Sequence, residues 1–153
     1  MNWLPPNAEL DLLTEMYFRV ELEPRGKGRP RSFANKFTGH AGVYTDEQTA
    51  SWERDFNTLT IMTRMRMEEK IKAVAGRPLF VGLALLYRKP KKAEWFCTKA
   101  IDNDNAEKLT WDSMQSLFFK NDNRIVANAT YKDWAEGAPY LRTQICALKR
   151  IES

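Results

Sequence analysis

Four segments predict β-strands, three because apolar residues alternate with polar ones and one because it is a nearly uninterrupted apolar run. Residues 17–23 alternate, with apolar side chains on one face and charged side chains on the other, which is typical of a half-buried strand. Residues 124–132 and 140–148 also alternate, and the glycine and proline between them predict a hairpin. Residues 79–87 are nearly all apolar, so we expect a central strand that is buried on both faces.

Two other segments repeat apolar residues every three or four positions, as helices do when they pack one face on a core. The first begins at Thr45, which has the spacing of a capping box with Gln48, and ends at Gly76 and Pro78. Its core-facing stripe is expected to contain Trp52, Phe56, Leu59, Thr63, Met67, Ile71 and Val74. The second helix is expected over residues 103–117.

The predicted order of elements is β-α-β-α-β-β. This order favours an α+β fold in which two helices pack on one face of a mixed β-sheet. Residues 1–16 are expected to form an N-terminal arm, and residues 24–45, with four glycines and two prolines, a loop or an irregular hairpin. No internal repeat divides the 153 residues, so we expect a single domain.

Composition and charge narrow the class of protein. The chain is 43% apolar and 29% charged, which excludes a disordered chain. Its net charge of +4 permits binding to nucleic acid without requiring it. Cys97 and Cys146 have no metal-binding spacing and are expected to be reduced, as in a cytoplasmic protein. Residues 1–6 lack the features of a signal peptide, and no apolar run is long enough to cross a membrane.

Acidic residues crowd the start of the second predicted helix. Asp102 and Asp104 are two positions apart, while Asp104, Lys108 and Asp112 lie four apart along one helix face. Asp122 precedes a predicted strand. Clustered carboxylates repel one another unless a cation lies between them, and a hard divalent cation prefers oxygen ligands. If the helix start and the strand start meet at one end of the sheet, three carboxylates would surround one cation.

Each of these residues also has a simpler interpretation. Asp102 or Asp104 would serve as a helix N-cap, with Glu107 completing a capping box from Asp104. Asp122 would be an ordinary turn residue. Lys108 would pair with an acid one turn away on a solvated helix face, which stabilises a helix by about 0.2–0.5 kcal/mol. The residues alone leave both interpretations open.

Two basic loops precede this acidic region in the sequence. Residues 24–45 contain no acid, and residues 88–100 carry five basic side chains around Trp95 and Phe96. Basic side chains contact phosphates, and aromatic rings stack on exposed bases. The side chains expected to contact DNA are Lys27, Arg29, Arg31, Lys91, Lys92 and Trp95. Solvated loops are the simpler alternative, and Trp95 and Phe96 would equally suit a dimer interface.

The acidic pattern resembles a known family. The pattern is Asp102-x-Asp104-Asn105-x-x-Lys108-x-x-x-Asp112, followed by Asp122 and Ile125. It is similar to the signature of the RusA-type Holliday junction resolvases, which are small homodimeric, magnesium-dependent endonucleases common in phages and prophages. Gly28-Arg29-Pro30-Arg31 and the later Tyr44-Thr45 resemble the N-terminal pattern of many members, and residues 17–148 follow the family's order of elements.

The resemblance implies that the whole chain is one nuclease domain, and it implies roles for individual residues. Asp102, Asp104 and Asp122 match the catalytic, metal-binding carboxylates, Lys108 matches the essential lysine, and Asp112 matches a supporting acid. The implied activity is resolution of four-way DNA junctions by paired nicks. The implied cofactor is Mg²⁺, for which Mn²⁺ would substitute, and the implied partners are branched DNA and a second subunit. The implied location is the cytoplasm of a bacterial host.

The chain departs from the family pattern at three positions. Asn103 and Ala106 stand where leucine is usual, and Asn121 replaces the first of two aspartates. Asn121 keeps an oxygen that can bind a metal ion but lacks the negative charge of aspartate, and this loss puts the affinity for the metal in doubt. Two other functions are compatible with the residues. One is a catalytically weak nucleic-acid-binding module that keeps the fold, and the other is a phage structural protein whose acids bind a stabilising cation.

Overall fold

A computed structural model of the protein describes residues 3–28 and 31–152, without the side chain of Arg31. A four-stranded sheet forms its centre, and a separate two-stranded sheet lies beside it. The strands are β1 (Ala8–Val20), β2 (Arg31–Ala34), β3 (Ala41–Tyr44), β4 (Leu79–Arg88), β5 (Ile125–Ala135) and β6 (Tyr140–Arg150). The helices are α1 (Glu47–Arg66), α2 (Glu68–Val74) and α3 (Asn103–Met114).

The large sheet is mixed, with the strand order β1-β6-β4-β5. β6 pairs antiparallel with both β1 and β4, whereas β4 and β5 are parallel. The predicted hairpin between the last two strands is therefore wrong, because β4 lies between them. β4 takes the central position because it is apolar on both faces, so β5 and β6 each pair with one of its edges and not with each other.

The N-terminal part of the sheet begins earlier than expected. Residues 8–16, predicted to belong to an arm, are the first part of β1, where Leu10 lies opposite Leu148 of β6. The register shifts between Asp11 and Met16. This irregularity breaks the alternation of apolar and polar residues, so the period-two pattern shows only the regular second part of the strand.

The first predicted helix is two helices that meet at Met67. Its N-cap is Asp46 and not Thr45, since the Asp46 carboxylate accepts hydrogen bonds from the Thr49 amide at 3.0 Å and the Thr49 hydroxyl at 2.5 Å. The buried face of α1 also differs from the prediction, because Leu59 is 47% exposed. The buried residues of α1 are Thr49, Trp52, Phe56 and Thr60.

The helices pack on one face of the sheet, which confirms the α+β layer arrangement. Val81, Leu83 and Leu85 of β4 share one core with Phe56 of α1 and Leu109 of α3. The opposite face of the sheet carries only two small apolar clusters, one around Phe80 and one around Leu86, and no helix covers it among the described residues. None of the described helices is both long and apolar enough to cross a membrane.

Strands β4 and β5 and the intervening α3 form a parallel βαβ unit. Because the two strands run in the same direction, α3 has to run back between them. The start of α3 therefore lies at the end of the sheet where β4 and β5 finish. The end of α3 lies where the two strands begin. This crossover connection determines at which end of the sheet each predicted site residue lies.

Candidate active site

The carboxylates of Asp102 and Asp104 are free at the start of α3. Asp102 occupies the N-cap position with extended backbone (φ −66°, ψ 137°), but its side chain makes no capping hydrogen bond. Asp104 lies in the first turn, and both residues are exposed. Neither side chain has a hydrogen bond or ion pair with any residue that the structure describes. Asp102 therefore takes the N-cap position of the simpler interpretation, but neither carboxylate makes a capping hydrogen bond within the described part of the chain.

Glu107, the other member of the alternative capping box, is occupied elsewhere. Its carboxylate accepts a hydrogen bond from the Asn128 side-chain amide at 3.0 Å and another from the Thr130 hydroxyl. Both partners lie on β5. Glu107 therefore fixes the first part of α3 against the edge strand, and it leaves Asp102 and Asp104 facing solvent on a helix that is held in place.

Lys108 and Asp112 have different environments although they share a helix face. Lys108 is exposed, and its ammonium has no ion pair within the described part of the chain. Asp112 pairs with Lys27, and the two side chains are only 26% and 31% exposed. Asp112 therefore holds the first basic loop against α3, and Lys27 is committed to this ion pair in the structure. The simpler interpretation, in which Lys108 pairs with an acid one turn away, is therefore wrong among the residues that the structure describes.

The first basic loop lies closely against two helices, which its composition did not predict. The Gly28 amide donates to the Thr49 hydroxyl at 3.0 Å, and a Cβ at Gly28 would lie 1.8 Å from a carboxylate oxygen of Asp46. A Cβ at Gly26 would lie 2.7 Å from the side-chain amide nitrogen of Asn105. The two glycines therefore let the loop cross directly beside the acidic start of α3.

Asp122 lies in a single 3₁₀ turn, Asp122–Arg124, immediately before β5. Its carboxylate is exposed and has no bond to a described residue. Asn121 carries the turn instead, since its side-chain oxygen accepts a hydrogen bond from the Asn123 amide at 3.1 Å. Asn121 therefore caps the turn through an oxygen that an aspartate would also supply, and Asp122 is free for another role.

The three predicted metal ligands do not meet within one chain. The start of α3 lies level with Lys132 of β5, whose ammonium donates to the Ile101 carbonyl at 3.1 Å. Asp122 precedes Ile125, which pairs with Leu79 at the start of β4. The strand between Ile125 and Lys132 rises by roughly 23 Å. Among the described residues, no three histidine, cysteine, aspartate or glutamate side chains are arranged to hold a metal ion.

The expectation that the helix start and the strand start share one end of the sheet is therefore wrong, because β5 is parallel to β4. Asp102 and Asp104 nevertheless suit Mg²⁺ by themselves. Mg²⁺ keeps several water ligands and is usually bound by one or two carboxylates. Two exposed carboxylates without protein partners match that requirement.

The second basic loop, residues 88–100, leads directly into this acidic end. Lys91, Lys92 and Trp95 are exposed. Lys99 lies 5.8 Å from the centre of the Tyr87 ring. Burial, ahead of the charges of nearby groups, raises the pKa of the Tyr87 phenol to about 12.

The other basic residues expected to contact DNA belong to the first basic loop. Arg29 lies outside the described residues, and only the backbone of Arg31 is described, at the start of β2. Lys27, also in that loop, lies beside α3 through its pair with Asp112.

Free carboxylates beside a basic loop with exposed aromatic rings are the arrangement expected of an enzyme that cuts a nucleic-acid backbone. Comparison with protein families gives the same class, since residues 21–145 match the family described as Endodeoxyribonuclease RusA. The chain belongs to the RusA endodeoxyribonuclease family. No curated protein matches the chain with significance.

Proposed function

We propose that this protein is a Mg²⁺-dependent endodeoxyribonuclease that resolves four-way DNA junctions by paired nicks, with Mn²⁺ able to replace Mg²⁺. The observation that carries the proposal is the pair of free carboxylates, Asp102 and Asp104, at the end of the sheet where the basic loop 88–100 enters α3. The free and buried thiols of Cys97 and Cys146 suit the reducing cytoplasm of a bacterial host, where we place this activity.

The chemistry follows from the residues at the start of α3. Asp102 and Asp104 would hold the metal ion, which supplies an activated water and neutralises charge on the phosphate being attacked. Lys108 lies one helical turn beyond Asp104 and has no acidic partner in the described part of the chain. Its ammonium is therefore available to bind the scissile phosphate and to stabilise the negative charge of the transition state.

A two-fold homodimer would give Asp122 a place in the same site. β5 is an edge strand that has α3 packed beside one end and Asp122 at the other. A two-fold axis through the middle of β5 exchanges the two ends of that strand. It would bring Asp122 of the partner subunit towards Asp102 and Asp104. Each of the two sites would then contain acids from both subunits.

The surface available for this dimer is the outer part of β5 and the adjoining open face of the sheet. Val126 and Tyr131 of β5 are 51% and 49% exposed, and Tyr17 on the neighbouring part of that face is 54% exposed. The face also contains a shallow depression of about 240 Å³ with Gly82 and Ala129 on its floor. Large exposed side chains beside small ones favour interdigitation with a second copy. A dimer would also match the approximate two-fold symmetry of a four-way junction.

The proposal is tested by incubating the protein with a synthetic four-way junction, with and without Mg²⁺. We expect paired nicks on opposed strands only when the metal is present, and little cutting of a linear duplex with the same arm sequences. Junction binding without any metal-dependent nicking would support the binding module instead. Metal-dependent melting without DNA affinity would support the structural protein.

A second expectation concerns the salt dependence of junction binding. Replacing both Lys91 and Lys92 with alanine should flatten the plot of log affinity against log salt by about one unit for each phosphate that the protein no longer neutralises. The matched control replaces Lys72 and Lys149, which are exposed but lie on other elements and pair with glutamates. Equal slopes for both double variants would place the DNA away from the loop 88–100. Arg29 and Arg31 are proposed to bind phosphates in the same way.

A further inference from the structure

Trp95 and Phe96 are neighbouring large aromatic residues that both face solvent. Trp95 is 89% exposed and Phe96 is 76% exposed. Exposed aromatic surface of this size is unfavourable in water and often marks a binding site. The two rings lie in the loop 88–100, which connects β4 to the acidic start of α3.

The backbone around this aromatic pair is anchored on both sides. The Trp134 indole donates to the carbonyl of Glu94, the residue before the pair, at 3.0 Å. Cys97, the residue after the pair, is buried in the core. Further along, the Lys132 ammonium donates to the Lys99 carbonyl at 2.8 Å. The rings are therefore presented by a loop that is already ordered, so a ligand that stacks on them would spend little binding free energy on ordering the backbone.

A wide groove runs between this loop and the end of β5. It has a volume of about 1120 Å³. Apart from Tyr131, which belongs to the proposed dimer surface, its aromatic lining consists of Trp95, Phe96 and Trp134. Lys132 lines the groove and also donates to the Ile101 carbonyl, so the groove is one residue of chain away from Asp102. The part of the groove lined by Lys132 is therefore the part nearest to the proposed metal ligands.

The charge around the groove selects the class of ligand. The loop 88–100 has five basic residues and a single acid, Glu94, which gives it a local charge of +4, equal to the net charge of the whole chain. The lining of the groove itself is balanced in charge, with the acids Glu94, Asp133 and Glu136 against the bases Arg88, Lys89 and Lys132. The outer loop thus suits a polyanionic backbone, and the aromatic lining suits a flat, uncharged ring.

We propose that this groove binds an unpaired nucleobase of branched DNA, stacked on Trp95 with Phe96 and Trp134 beside it, while Lys91 and Lys92 hold the adjoining phosphates. The inference rests on the proposed nuclease function and adds the substrate feature that the enzyme selects. A base that has left its pair at a branch point can enter the groove, whereas a base inside an intact duplex cannot.

The test measures binding without divalent metal, so that no cutting occurs. The probes are a duplex with one bulged 2-aminopurine and the same duplex with that base paired. We expect the bulged probe to bind more tightly and its fluorescence to be quenched by stacking. Trp95→Ala should weaken binding of the bulged probe about tenfold or more and leave the paired probe within about twofold. Trp95→Phe should retain most of the preference.

The matched control is Phe37→Ala, because Phe37 is 99% exposed but lies between β2 and β3. It should leave the preference for the bulged probe unchanged. Equal affinity of Trp95→Ala and the unaltered protein for the bulged probe would overturn the inference. Dissociation of a dimer by Trp95→Ala in sedimentation would also overturn it, since the ring would then contact a second copy. Nicking with Mg²⁺ is measured separately, so failure of base binding is distinguishable from failure of the nuclease function.

Discussion

Replacement of Asp104 with asparagine is expected to lower the rate of junction nicking by about 100-fold or more, the size of effect seen when one charge-stabilising group is removed from an active site. Binding of the junction should not weaken, because Asp104 is an exposed acid and the basic loops are intact. Asp102→Asn should behave in the same way. The measurements are single-turnover nicking with Mg²⁺ and equilibrium binding without it.

Melting temperature provides the first control for these variants. The carboxylates of Asp102 and Asp104 have no partner among the described residues, so their replacement should leave the melting temperature of the metal-free protein unchanged or raise it by relieving repulsion. Asp112→Asn is the contrasting variant. It removes the ion pair with Lys27 and should lower the melting temperature while reducing nicking less. An Asp104→Asn protein that nicks at the normal rate would exclude Asp104 from the metal site.

Mixing two inactive variants is expected to restore nicking if each site combines acids from both subunits. In a heterodimer of Asp104→Asn and Asp122→Asn subunits, one site contains both changes and the other contains none. An equal mixture should therefore recover about a quarter of the normal nicking rate, because half of the dimers are heterodimers with one intact site. The products should be nicked junctions, since complete resolution needs two active sites.

The control mixture combines Asp102→Asn with Asp104→Asn subunits. Both changes affect acids at the start of α3, so every site in every dimer lacks one ligand and nicking should not return. No recovery in the first mixture would contradict the shared site and would leave Asp122 outside it. Recovery of nicking in both mixtures would show that the recovered activity does not come from intact sites shared between subunits. Giving the two variants different affinity tags and purifying the mixture over both tags establishes that subunits have exchanged.

Local patterns in the sequence were sufficient for the elements that carry the acids. The apolar run that became β4 was predicted as a central strand, and the start of α3 was predicted at Asn103, where it lies. A buried strand and a helix start depend on residues that are neighbours in sequence, so local periodicity and capping chemistry report them. The alternative capping box between Asp104 and Glu107 could not be decided from local sequence, because Glu107 bonds instead to Asn128 on another strand.

The amino-acid sequence by itself determined the α+β class, the central position of β4 and the grouping of Asp102, Asp104 and Lys108 on one helix. Only the tertiary structure decided that β5 is parallel to β4, that Asp122 lies at the opposite end of the sheet, and that Asp112 holds Lys27. The physical reason is that alternation along a strand reports which face each side chain takes, but not which strand becomes its neighbour. Which strands become neighbours depends on how the whole sheet is buried. In this protein the pairing of β5 with β4 separates Asp122 from Asp102 and Asp104, although the sequence motif places the three residues close together.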